Sequence, residues 1–118
     1  MDLVLRPEHG VTALRSCGTS ALELAFELPG PPPLAVLRIT GRASTLDGIR
    51  FAPIEVEVSG LPVAREWSPG LVPREGPAEA RFEVAGLLHQ GTNQVVVRLS
   101  GWAPMQCFLE RVELLVLR

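Results

Sequence analysis

The chain has 118 residues and a formal net charge of −2, and all 11 of its basic residues are Arg. Hydrophobic residues make up 47% and charged residues 20%, a balance that excludes a disordered chain and suits one domain with its own core. Arg and Glu alternate instead of clustering, so no basic stripe marks a nucleic-acid partner. No run reaches the ~18 apolar residues of a membrane span. The first residues, Met1-Asp2-Leu3-Val4-Leu5-Arg6-Pro7, lack a basic region followed by an apolar stretch, so no signal peptide is read there. The expected location is the cytoplasm, or a place within a larger secreted chain.

Period-two alternation, the signature of strands buried on one face, dominates the chain. Over 20–28, Leu22, Leu24, Phe26 and Leu28 face one way and Glu23 and Glu27 the other. The connector Pro29-Gly30-Pro31-Pro32-Pro33 can sit in neither a helix nor a central strand. Over 34–40, Val36 and Arg38 share one side, while Leu37 and Ile39 fit the alternation less regularly. Ile54-Glu55-Val56-Glu57-Val58 turns three β-branched residues inward and two carboxylates outward. Ser59-Gly60 then joins two short runs at hairpin spacing, with Gly60 supplying a positive φ.

Residues 66–78, with three prolines, form a loop long enough to require a reason. Strand patterns return at 81–84 and 94–99, with one short helical turn near 85–89 and a further turn at Gly91-Thr92-Asn93. A terminal strand over 107–117 closes the chain, apolar on both faces from Val112 to Leu117. A strand apolar on both faces is covered on both, so the excess calls for the 29–33 connector, another domain or a second copy over this strand. About seven to nine strands with turn signals between them predict an all-β, antiparallel two-sheet sandwich in a single domain, 1–118.

The run Phe82-Glu83-Val84-Ala85-Gly86-Leu87-Leu88-His89-Gln90-Gly91-Thr92-Asn93-Gln94-Val95-Val96-Val97 resembles a signature of galactose-binding-like β-sandwich domains. These are the jelly rolls of many carbohydrate-binding modules. Leu109-Glu110-Arg111-Val112-Glu113-Leu114 is similar to the closing strand of that family, and residues 54–60 to its alternating strand, with Ser59 where Asn is usual. The resemblance covers about residues 20–117 and implies a jelly roll. It further implies ligand contacts through loops at one end or on a sheet face, with sugar stacked on an aromatic ring.

Trp67 and Trp102 fall in segments matching such loops, each either a stacking platform or a plug at one end of the core. Arg65, Glu66 and Arg74 are the polar groups near Trp67. A scarcity of Asp (Asp2, Asp47) and Asn (Asn93) and the absence of Tyr weigh against a sugar ligand, and two isolated Asp do not make a calcium site.

Cys17 and Cys107 are too few and too far apart for zinc and stand either as buried thiols or as one disulfide. His9 and His89 lie in turns without a third ligand nearby. No Ser or Cys stands at triad spacing, and the Glu55/Glu57 pair alternates onto an outward face. No catalytic residue, metal or cofactor is therefore expected. Two readings follow. One is a non-catalytic carbohydrate-binding-like module using Trp67 and Trp102; the other is an interaction or assembly domain that binds protein or self-associates through its apolar C-terminal strand.

Overall fold

The computed structural model describes residues 2–5, 12–15, 21–45, 54–67, 78–99 and 105–117, with side chains over 21–41, 54–64, 79–99 and 108–117. Nine strands occur among the described residues: β1 (Asp2–Leu5), β2 (Thr12–Arg15), β3 (Ala21–Leu28), β4 (Leu34–Thr45), β5 (Ile54–Val58), β6 (Leu61–Trp67), β7 (Ala78–Glu83), β8 (Gly91–Leu99) and β9 (Met105–Leu117). One sheet runs β1-β9-β4-β7, with β2 also on β9; the second, four-stranded sheet runs β3-β8-β5-β6. Every pairing is antiparallel. The expected all-β sandwich is the observed one.

The core lies between the sheets. Ala35, Leu37 and Ile39 of β4 and Val112, Leu114 and Val116 of β9 meet Ile54, Val56 and Val58 of β5, Val95 and Val97 of β8, and Phe26 and Leu28 of β3. Each fully buried Val, Leu or Ile contributes roughly 1.5–3 kcal/mol. β4 alternates without a break, contrary to the irregular pattern read from its sequence. Val36, half-buried on the outer side, blurs an alternation whose inward members are Ala35, Leu37 and Ile39.

β9 contains one extra residue. Thr40 faces Arg111 and Gly41 faces Leu109, so the register skips one position at Glu110. This bulge reverses the parity of the strand, so Leu109 and Val112, three apart, both face the core. Gly41 has a steric reason to be glycine: a Cβ there would lie 2.8 Å from the Phe108 carbonyl oxygen.

β9 is also interior to its sheet, with β4 on one edge and β1 and β2 on the other. The self-association expected through this strand therefore has no free edge of β9 to use. Only its outer face remains, where Leu115 is half-buried and Leu117 is 42% exposed. The 29–33 connector borders that end, lining an apolar hollow of about 310 Å³ with Leu28, Val116 and Leu117.

Ser59 and Gly60 both have positive φ, 51° and 81°, which makes the β5–β6 connection a type I′ turn. The Ser59 hydroxyl donates to Asn93 Oδ1 at 2.9 Å, and the Ser59 amide to the Gln94 carbonyl at 2.8 Å. Gly91-Thr92-Asn93 is not a turn, as the sequence suggested, but the first three residues of β8. The chain reverses just before, after a 3₁₀ turn at Ala85–Leu87.

Asn93 is 1% exposed and makes four hydrogen bonds. Its Oδ1 accepts from Ser59 and from the His89 amide at 3.1 Å. Its Nδ2 donates to the carbonyls of His89 at 2.7 Å and Gly91 at 3.2 Å.

Three outcomes follow for equilibrium denaturation. Asn93→Ala strips partners from Ser59 and both His89 backbone groups and should cost roughly 3 kcal/mol. Asn93→Asp should also destabilise, since it faces two carbonyls with an oxygen; wild-type stability of either variant would contradict the hub. Gly41→Ala should cost about 1–3 kcal/mol through its backbone clash.

Candidate ligand-binding site

The end of the sandwich opposite the Asn93 hub is set by strand ends. β5 begins at Ile54, whose cross-strand partners are Leu99, the last residue of β8, and Trp67, the last of β6. The segments 68–77 and 100–104 therefore leave the second sheet on either side of Ile54. In the first sheet β4 ends at Thr45, opposite Met105 at the start of β9. Five residues link Leu99 to Met105, a reach of at most about 20 Å, which keeps these ends of the two sheets together.

β6 reaches this end by a second irregularity. Val56 faces Ala64 while Ile54 faces Trp67, so Arg65 and Glu66 both stand against Glu55. Such a bulge re-aims a strand at a sheet edge. It also brings Trp67 to the register of Ile54, a residue that is 0% exposed on the core side. Nothing in the sequence signals this extra residue. The structure thus gathers Arg65, Glu66 and Trp67 at the last turn of β6 and places the segment containing Trp102 just beyond β8. Arg74 and Trp102 themselves lie outside the described residues, as do Cys17, His9 and Asp47.

The Glu55/Glu57 pair lies on the outer face of the second sheet, half-buried rather than free in solvent. Arg98 holds both carboxylates: its guanidinium meets the two Glu57 oxygens at 3.1 and 3.3 Å and Glu55 at 3.8 Å. This is an open sheet surface with a cation between the acids, not a cleft flanking a scissile bond.

The outer face of the first sheet is charged too. Arg38 contacts Glu113 at 2.9 Å and Glu79 at 3.7 Å, and Arg81 meets Glu79 at 3.0 Å. The Arg38 Nε is buried without a hydrogen bond, the Glu79 oxygen being too distant for one. His89 is exposed, with Nδ1 2.9 Å from the Gln90 carbonyl oxygen. Among the described residues no three His, Cys, Asp or Glu side chains group as metal ligands, and no helix is long and apolar enough to cross a membrane.

No family model and no curated protein matches the chain. Solved structures do. The CBM36-1 domain of a multidomain xylanase from the hindgut metagenome of Trinervitermes trinervoides superposes with a TM-score of 0.55 at 9% identity, over 92% of this chain and 98% of that one. A family 35 carbohydrate binding module from Clostridium thermocellum gives 0.51 at 14% identity, over 83% and 72%. The chain shares the β-sandwich fold of these two modules. Dimeric latent PorU from Porphyromonas gingivalis contains a similar unit, with a TM-score of 0.58 at 8% identity over 97% of this chain and 13% of that one. The same sandwich thus occurs both as a module beside an enzyme and as a small part of a much longer protein, and at these identities the likeness is one of fold.

Proposed function

We propose that this β-sandwich is a non-catalytic carbohydrate-binding-like module whose ligand is held by the loops at the Ile54 end. The observation that carries this reading is the pairing of Ile54 with both Trp67 and Leu99, which launches the 68–77 and 100–104 segments from neighbouring strand ends. The fold, shared with two carbohydrate-binding modules, supports it. Near-complete mutual coverage with the first of these also supports taking residues 1–118 as one domain.

In this reading an indole, from Trp67 or Trp102, stacks on the apolar face of a sugar ring, while Arg65, Glu66 and Arg74 reach its hydroxyls. No bond is made or broken. The module holds a glycan near whatever the rest of its chain or its neighbours do, and needs no cofactor.

A second reading is an assembly domain of the same fold that binds protein or a second copy. It is favoured by Leu117, 42% exposed on the outer face of β9 beside the apolar hollow.

Affinity electrophoresis through gels of soluble polysaccharide, backed by a glycan array, tests the first reading. At least one polysaccharide should retard the wild type, and Trp102→Ala should weaken retardation about tenfold or more. Because Trp67 shares the register of core residue Ile54, Trp67→Ala should also lower the melting temperature; Trp67→Phe separates stacking from packing. Absence of any glycan ligand, or retardation that survives both Trp substitutions, overturns the reading. For the second, light scattering should find a dimer that Leu117→Arg dissociates, and a strict monomer defeats it.

A further inference from the structure

The edges of the two sheets are not equally protected. β6 carries Pro62 and two register irregularities. β7 is short and charged at Glu79, Arg81 and Glu83, β1 is irregular, and β2 has four residues. β3 differs. It pairs with β8 over all eight residues without a shift and contains no proline, and no described strand pairs its other edge. A long regular edge with unpaired backbone groups is a template for another strand.

Its side chains indicate what that strand carries. Glu23, Ala25 and Glu27 are exposed on the outer side, while Leu22 and Leu24 are only half-buried on the inner side. Glu55 and Glu57, on the same face, share Arg98. Among the described residues Glu23 and Glu27 have no cationic partner, and Glu27 only accepts a hydrogen bond from the Thr92 hydroxyl at 3.1 Å. A second copy is a poor occupant. Antiparallel pairing of β3 with itself about Ala25 sets Glu23 against Glu27 twice, and like charges directly opposite destabilise a sheet.

We infer that the free edge of β3 takes an extended basic segment of a protein partner as an added antiparallel strand. Two cationic side chains, four residues apart, sit over Glu23 and Glu27. The apolar residues between them cover Leu24 and Phe26, and the small residue at the centre faces Ala25. This surface is separate from the Ile54 end, so it stands or falls apart from glycan binding.

The test is an amide NMR titration of the full chain with the capped peptide Thr-Arg-Val-Thr-Val-Arg-Thr, beside Thr-Glu-Val-Thr-Val-Glu-Thr. Saturable shifts should fall on β3 and β8 with the arginine peptide alone and fade in high salt. The double variant E23Q/E27Q should weaken them by about tenfold. Equal response to both peptides, shifts centred on Glu55 and Glu57, or no shift up to peptide solubility overturns the inference. So does a wild-type dimer whose interface maps to β3, since the occupant would then be a second copy.

Discussion

The packing of the first sheet depends on one extra residue in the register of β9. β9 runs thirteen residues beside β4, and a strand that long has to keep one face inward throughout. Its core residues do not fall on one parity: Leu109 belongs to the odd set, and Val112, Leu114 and Val116 to the even. The bulge at Glu110 reconciles them, and Gly41 makes room where β4 passes the kink. Slip that extra residue out and one half of the strand would turn its apolar side chains to water. β9 therefore joins the core from Leu109 to Val116 only because of a local defect in its ladder.

The second sheet is closed by polar chemistry. Asn93 stands on the inward side of β8, in line with Val95 and Val97, where a buried amide is costly unless fully satisfied. All four of its bonds are made, two of them to the His89 backbone and one across to Ser59. At the same end of the first sheet, the Val84 amide just after β7 donates to the Ala35 carbonyl of β4 at 3.0 Å. One end of the sandwich is thus knitted by satisfied polar bonds, while the two longest connections, 46–53 and 68–77, leave from the other.

The strands legible in the sequence were those with strict alternation and one wet face, such as Ile54–Val58, and the Ser59-Gly60 turn was legible from its glycine. β1 and β2 were not, because four residues offer too little period to read. Asn93 was read as a turn residue since Asn favours turns; its burial depends on Ser59, 34 positions away. The register shifts of β6 and β9 escaped, because an extra residue shifts phase without changing composition. For the candidate site, the sequence named the residue types and the structure supplied the strand ends they occupy. The Trp67 register with Ile54 comes only from the β6 bulge, so no pattern in one strand reveals it.

The exclusive use of arginine acquires a physical sense in the sheets. Arg38 lies between Glu79 of β7 and Glu113 of β9, and Arg98 between Glu55 and Glu57 of β5. A planar fork with five donors reaches two carboxylates or grips one bidentately, which a lysine ammonium does only as a point charge. On the first sheet these forks reach Glu79 and Glu113, and Glu113 is accordingly buried to 8% exposure without an unpaired charge. On the second, among the residues whose side chains are described, Arg98 pairs with Glu55 and Glu57 and no ion pair reaches Glu23 or Glu27. The surplus falls on β3, the edge strand with the most regular backbone, so the least compensated charge and the least protected edge coincide.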